Sequence, residues 1–306
     1  MPSRRLGFSL GIDIIPHKNC SFDCIYCQLG KTMDKTTLRQ VYTPAHEILH
    51  EIRDVLDKNQ RIDFLTFSGS GEPTLHKDIG YLINEIKKLT KIPIAVLTNG
   101  SLLHVSEVRN DLMNADIVIP TLCTADNATF RKIHRGHETV DIDTVIEGYV
   151  KFRATYRGQI WLELMLIRGI NDKPEQIRDL KKVIDRINPD KIHLNTVVRP
   201  PNEEYARPVS LKTMQIIKEI LGDKCQIIVD FKPETKVEQH DNQLEKITAI
   251  IARRPVTIDD LTKITSMDRT QVLKYIHTLI KKGIIEVSKH SGDEYYRKAG
   301  GSDDRT

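Results

Sequence analysis

No run of eighteen or more uncharged apolar residues occurs in this 306-residue chain, which excludes a membrane-spanning helix. The N-terminus, Met1-Pro2-Ser3-Arg4-Arg5, lacks the apolar core and small-residue cleavage site of a secretory signal, so a cytoplasmic protein is expected. Cysteine is scarce, and five residues, an odd number, cannot complete a disulfide framework. Three of the five lie within eight residues, the crowding of a metal site, with Cys123 and Cys225 left over. Internal repeats and low-complexity tracts are missing as well. What is present, 39% apolar and 29% charged residues, describes a soluble globular protein long enough for one large domain or two ordinary ones. The net charge is only +4, but residues 242–300 hold eleven Lys and Arg against seven Asp and Glu, leaving the remainder neutral. A polyanionic partner would therefore dock on the C-terminal segment.

From residue 8 to about 231, short β-branched runs alternate with amphipathic helical runs, the α/β pattern of a parallel sheet wound with helices. Strands are expected over 8–15, 62–67, 92–97, 116–122, 159–167 and 191–197, with a seventh, edge-like strand over 226–231. Helices are expected over 44–56, 79–89, 142–154, 174–187 and 211–221. In the first of them Thr43 would cap, Pro44 would take the first helical position, and Ile48, Ile52 and Val55 repeat on one face. Arg199-Pro200-Pro201 cannot continue a central strand. Residues 232–243 have almost no apolar anchors and read as a linker closing the first domain, 1–231. Beyond it come helical patterns over 244–251, 258–264 and 269–282, then strand-like runs over 284–288 and 294–297 around Ser291-Gly292. That is the outline of a small winged helix-turn-helix domain over 244–299, with 300–306 as a tail.

The segment Asn19-Cys20-Ser21-Phe22-Asp23-Cys24-Ile25-Tyr26-Cys27-Gln28 follows the first strand. Thiolates at this spacing on one loop reach three irons of a cubane, and no fourth cysteine lies nearby, so one iron would stay open to an outside ligand. Zinc with His17 as fourth ligand, or three small buried side chains, are the alternatives. Ser68-Gly69-Ser70-Gly71-Glu72-Pro73-Thr74 and Leu97-Thr98-Asn99-Gly100 end the second and third strands, where a parallel barrel gathers its ligand-binding groups. A glycine lets carbonyls approach an ammonium closely, and Glu72 can hold that loop or share the charge. By itself each segment is an ordinary turn. The fourth strand ends at Thr121-Leu122-Cys123, where the cysteine is either a small buried hydrophobe or a reactive thiol. On the fifth, Glu163 and Met165 alternate with Leu162 and Leu164, and the pattern leaves open which pair faces inward. Asn195, at the end of the sixth, is placed either to bond a ribose hydroxyl or to cap the Arg199-Pro200-Pro201 turn.

The spacing Cys20-x-x-x-Cys24-x-Tyr26-Cys27 resembles the signature loop of the radical S-adenosylmethionine (SAM) superfamily. Ser70-Gly71-Glu72-Pro73 is similar to that family's Gly-Gly-Glu-Pro element, with Ser70 in place of the first glycine, and Thr98-Asn99-Gly100 to its Thr-Asn-Gly. The resemblance implies a partial (β/α)6 barrel, a 4Fe-4S cluster on Cys20, Cys24 and Cys27, and S-adenosyl-L-methionine on the open iron. It implies an iron-sulfur oxidoreductase or transferase that cleaves SAM reductively to a 5'-deoxyadenosyl radical, fed by an external electron donor such as flavodoxin or ferredoxin. SAM contacts are implied at Tyr26, Ser70, Gly71, Glu72, Pro73, Asn99 and Thr121, and Asn195 joins them from its place at a strand end. Cys123 stands where relatives carry the aspartate of Ser-Leu-Asp. Arg135 lies in 130–137, which resembles a segment whose basic side chain meets substrate or the SAM carboxylate in one subgroup. Cys123, Glu163 and Arg135 are thus the candidate catalytic residues. Over roughly 8–200 the likeness is nearest to the wyosine-forming tRNA enzymes, yet these need extra cysteines for a second cluster, which this chain cannot supply.

In the C-terminal segment Val272, Leu273, Ile276, Leu279 and Ile280 make one apolar stripe. Arg269, Gln271, Lys274 and Lys281 would face outward as on a recognition helix, with Lys289 on the wing for phosphates, unless this is simply a solvated charged face. The expected function is a single-cluster radical SAM enzyme acting on RNA or another polyanion. Alternatives are an iron-sulfur, SAM-binding regulator that binds DNA, and an activase that grips a partner protein or peptide.

Overall fold

The computed structural model describes residues 2–3, 5–58, 61–228, 243–265, 267–290 and 292–299. Its first elements are β1 (Pro2–Ser3), β2 (Gly7–Ile12), β3 (Asn19–Cys20), β4 (Asp34–Lys35), α1 (Ala45–Leu56), β5 (Phe64–Phe67), α2 (Ile79–Leu89) and β6 (Ile94–Thr98). There follow α3 (Ser106–Asp111), β7 (Ile117–Pro120), α4 (Asn127–His134), α5 (Ile142–Thr155), β8 (Gln159–Leu166), α6 (Pro174–Ile187), β9 (Lys191–Thr196), α7 (Leu211–Leu221) and β10 (Cys225–Ile227). The last are α8 (Gln243–Arg253), α9 (Ile258–Thr265), α10 (Arg269–Lys281), β11 (Ile285–His290) and β12 (Asp293–Lys298).

One sheet runs β1-β2-β5-β6-β7-β8-β9-β10. The short β1 pairs antiparallel with β2, and every later pairing is parallel, so the sheet curls into a parallel half-barrel with helices on its outside. On β8, Ile160, Leu162, Leu164 and Leu166 enter the main core between sheet and helices. Glu163 and Met165 therefore point to the concave side, which answers the alternation the sequence left open. The register sets Glu163 beside His193 and Met165 beside Asn195, so both strands deliver polar groups to one interior. A separate apolar cluster, with Ile247, Leu261, Ile276 and Tyr296 among its members, holds α8, α9, α10 and the β11–β12 hairpin together. Among the described residues no helix is long and apolar enough to cross a membrane.

Several boundaries differ from the sequence pattern for local reasons. Helix α1 begins at Ala45, because Pro44 is extended (ψ 132°) and occupies the N-cap. Thr43 does not cap; its carbonyl meets the His76 ring nitrogen at 3.0 Å. Strand β2 stops at Ile12, where Asp13 turns away to accept the Ser70 hydroxyl at 2.6 Å. Strand β7 stops at Pro120, although Thr121 still makes a single bridge to Glu163. The short helices α3 and α4 were not expected. In α10, Leu273 is half-buried and Ile280 is 40% exposed, so the apolar stripe is narrower than the pattern implied. The expected linker lies outside the described residues but for Gln243, as do 229–231 of the edge strand, Ser291 of the turn and the tail.

The interior beneath the mouth is apolar enough to perturb a histidine. His193 is 2% exposed, edge-on to Trp161, and burial together with the charge of Arg5 holds its pKa down at about 4. Between the ordinary 6.5 and about 4 the unfolded chain takes up a proton that the folded chain refuses, so stability falls as pH drops through this window. We expect a loss on the order of 2 kcal/mol from this group between pH 7 and pH 4.5. Urea unfolding at the two pH values should show a smaller loss in His193→Phe, and an unchanged loss would refute the assignment.

Candidate functional site

The three cysteines sit at the C-terminal end of the half-barrel on the loop after β2, held from two sides. Backbone bonds run from Asp23 N–H to the His134 carbonyl and from Ile25 N–H to the Ile133 carbonyl, both 2.9 Å, so the end of α4 acts as a backing for the loop. Arg135, left-handed at the C-cap, donates Nε to the Asp23 carbonyl (2.9 Å) and pairs with the Asp23 and Glu203 carboxylates. Two side chains not singled out as ligands reach the sulfurs themselves. Lys18 Nζ donates to Cys27 Sγ at 3.3 Å, and His134 Nδ1 lies 3.2 Å from Cys24 Sγ. Burial keeps the His134 ring neutral, its pKa lowered to about 3.

Three strand ends converge on this loop. Lys18 N–H donates to the Ser70 carbonyl (2.7 Å) and Glu72 N–H to the Asn19 carbonyl (3.1 Å), which lays 70–72 directly against 18–19. A Cβ at Gly71 would collide with the Asn19 carbonyl oxygen and Ile15, so only glycine permits this approach. Glu72 is buried and accepts four bonds: from Thr74 N–H, Thr74 Oγ1 and Thr98 Oγ1 on one oxygen, and from Asn99 N–H on the other. Burial raises its carboxyl pKa while these four donors pull it down. Its carboxylate therefore ties the end of β5 to the end of β6. Asn99 passes the tie onward, its amide 2.8 Å from Ser21 Oγ and 3.5 Å from Cys20 Sγ. Buried Tyr149 bonds the carbonyls of Asn99 and Thr121, locking β6 to β7.

A cavity of about 950 Å³ opens over these groups. Cys20, Tyr26 and Cys27 line it, as do Ser70, Gly71 and Glu72. Asn99, Thr121, Glu163 and Asn195 complete the barrel side. Glu163 pairs with Arg5 at 2.8 Å and accepts the Asn195 amide at 3.1 Å, so Asn195 faces the interior and does not cap the Pro200-Pro201 turn. Four of the residues expected in the barrel site do not line the cavity: Cys24, Pro73, Cys123 and Arg135. Cys123 lies behind Tyr26 in a small apolar cluster, and burial pushes its thiol up to about 12. Arg135 serves the outside of the cysteine loop.

The C-terminal unit meets the barrel here. Tyr295 Oη donates to the Val198 carbonyl at 2.6 Å, and Arg253, Arg254 and Lys263 line the same cavity. Nothing in the sequence marked these three, since contact with the barrel selects them. Arg269, Gln271, Lys274, Lys281 and Lys289 are exposed but line no part of the cavity; Arg269 pairs with Asp259, and Lys289 with Glu294 at 3.8 Å.

The donor set suits a cluster. Cys20 is pushed up to about 12 by burial and by Glu72, and Cys24 is raised well above the ordinary thiol range by burial and by the charges of Cys20 and Cys27. Three sulfurs that repel one another on one partly buried loop call for a shared cation to stabilise their thiolates. Among the described residues no three His, Cys, Asp or Glu converge on a point that would suit a single metal ion. His17 is exposed and interacts with Lys18, Asp13 and Lys298 instead of the cysteines.

Comparison with known proteins gives the family. The chain is 33% identical to a UPF0026 protein of Methanocaldococcus jannaschii over 97% of its own length and 94% of the relative's. It is 38% identical to a Brachyspira hyodysenteriae protein described as GTPase Obg, over 92% of this chain but only 42% of that one. Gly30-Lys31-Thr32 here has Ile25 where a phosphate-binding loop needs its first glycine. Streptococcus suis SuiB bound to S-adenosylmethionine shares the fold, with a TM-score of 0.56 at 18% identity over 73% of this chain and 51% of that one. Residues 14–181, more than half of the chain, match the radical SAM superfamily, to which this protein therefore belongs, as a member of the UPF0026 family.

Proposed function

We propose that this chain is a radical SAM enzyme in which Cys20, Cys24 and Cys27 hold a single 4Fe-4S cluster and the surrounding strand ends receive SAM. The observation that carries the reading is the convergence of Ser70–Glu72 and Asn99 on the cysteine loop, through backbone and side-chain bonds, at one end of a cavity. When bound, the cluster supplies the electron that breaks a carbon–sulfur bond of SAM, yielding methionine and a 5'-deoxyadenosyl radical. The protein's part is positioning and exclusion of water. Gly71 keeps its loop close to the cysteine loop, Glu72 holds that loop in place, and Asn99 fixes Ser21 beside Cys20. Lys18 sets a positive charge against Cys27, offsetting negative charge on the sulfurs. Thr121 and Asn195 offer polar groups to a ribose from the facing strands. The electron comes from an external donor such as flavodoxin or ferredoxin.

Residues 244–299 form a winged helix-turn-helix domain, joined through the linker 232–243, and the substrate is an RNA, tRNA foremost. The reading draws support from the basic excess of this segment and from the likeness of the first domain to wyosine-forming enzymes, without their second cluster. Anaerobic reconstitution, dithionite reduction and chromatography with and without total tRNA test it. SAM-dependent 5'-deoxyadenosine, increased by tRNA, is expected. Duplex DNA binding that changes with cluster oxidation, without SAM turnover, would mark a regulator instead, and stimulation only by a co-purifying protein would mark an activase.

A further inference from the structure

Each sulfur of the cysteine loop has one side-chain nitrogen beside it, and each nitrogen comes from a different part of the chain. Asn99 Nδ2, after β6, lies 3.5 Å from Cys20 Sγ, and His134 Nδ1, at the end of α4, lies 3.2 Å from Cys24 Sγ. Lys18 Nζ, before β3, lies 3.3 Å from Cys27 Sγ, and it alone of the three carries a full charge. Lys18 is only 3% exposed, and among the described residues no carboxylate pairs with its ammonium. The carboxylates of the neighbouring segments are engaged elsewhere: Asp13 with Ser70, Asp23 with Arg135, and Glu72 with Thr74, Thr98 and Asn99. An ammonium taken out of water is stable only against a negative partner. The arrangement therefore fits a thiolate at Cys27, for which the free sulfur stands in here. The backbone of Lys18 is held as firmly as its side chain. Its φ of 63° is the left-handed conformation uncommon outside glycine. It is fixed by the bond to the Ser70 carbonyl (2.7 Å) and by the Met33 and Asp34 N–H groups on its own carbonyl (3.1 and 3.3 Å). Lys18 lines no part of the cavity, so it touches nothing bound there and acts on the site through Cys27.

We propose that Lys18 sets the reduction potential of the cluster, its buried ammonium on Cys27 Sγ favouring the state that carries one more negative charge. On reduction one electron passes from an external one-electron carrier to the cluster. The carrier is oxidised by one electron, the cluster becomes more negative by one charge, and no bond breaks. A cation beside the sulfur, screened from water, stabilises that added charge and so raises the potential. Asn99 and His134 carry no charge, so their effect on the potential is smaller. The inference rests on the reading of Cys20, Cys24 and Cys27 as the ligands of one 4Fe-4S cluster.

Potentiometric titration of the anaerobically reconstituted full-length protein, followed by electron paramagnetic resonance of the reduced cluster, tests it. Lys18→Met keeps an unbranched stem without the charge and should lower the midpoint by at least about 59 mV, which is about a tenfold loss in the one-electron equilibrium. Lys18→Gln still offers an N–H but no charge, and should fall between Met and the wild type. Lys18→Arg should stay near the wild type. Lys31→Met removes an exposed charge that solvent screens, and should leave the midpoint unchanged. If Lys18→Met does not fold, the Gln variant decides. Midpoints in the Gln and Met variants equal to or above that of the wild type would overturn the inference and leave the cluster standing. Loss of iron from both variants at unchanged urea stability would overturn it too, because Lys18 would then serve to hold the cluster. Wild-type protein without a reducible iron–sulfur signal would remove the radical SAM reading itself, and the inference with it.

Discussion

Replacing any one of Cys20, Cys24 or Cys27 by Ala should abolish the iron–sulfur absorbance of anaerobically reconstituted protein and reduce SAM-dependent 5'-deoxyadenosine by more than about a hundredfold, since losing even an outer-shell partner of a metal ligand costs 10–100-fold. The three thiols sit on one partly buried loop, and Cys20 and Cys27 both raise the pKa of Cys24, so removing one leaves the cluster held from two corners. Cys123→Ala and Cys225→Ala should keep iron, because Cys123 lies behind Tyr26 and Cys225 lies in the main core. His17→Ala should keep it too, which separates the cluster from zinc. Iron and sulfide analysis beside chromatography of the nucleoside makes the comparison. Zinc in place of iron in the wild type, or full nucleoside yield from a two-cysteine variant, would sink the assignment.

The strands and the cysteine loop were legible for different reasons. Strand β8 reads as a nearly continuous apolar run, as in a sheet covered on both faces, and the match between 159–167 and Gln159–Leu166 follows from that run and its bounds. The cysteines and Gly71 were legible because their residue types have few other uses at such spacing. Helices α3 and α4 were not, since six and eight residues with mixed polarity give too few turns for a helical period to show.

The support of the site was hidden for a further reason. His134 and Cys24 are 110 positions apart, and nothing local distinguishes a histidine that backs a sulfur from one in an ordinary helix. Arg135 was expected to meet substrate, but its left-handed cap geometry turns it onto Asp23 and Glu203. Basic residues in the C-terminal segment showed where positive charge concentrates, but the face turned to the barrel depends on docking through Tyr295 and Val198. Local pattern thus indicated the chemistry, and long-range contact decided which side chains surround it.

Glu72→Ala should cost about 3 kcal/mol of stability, because it leaves the N–H groups of buried Thr74 and half-buried Asn99 without an acceptor, each an unmet bond worth about 1–3 kcal/mol, partly offset by releasing a buried charge. Glu72→Gln should fall between wild type and Ala. Its carbonyl oxygen can keep the three donors gathered on Oε1, but its amide nitrogen then opposes the Asn99 N–H and breaks that one link. Because Asn99 carries the side-chain tie from Glu72 onward to Ser21 and Cys20, Gln should reduce 5'-deoxyadenosine formation more than its modest loss of stability explains. Urea unfolding gives the order Glu, Gln, Ala, and nucleoside yield at equal iron content gives the functional half. A Gln variant with wild-type yield would show that the carboxylate merely fills the loop, and that the route from β5 through Asn99 does not position the cysteine loop.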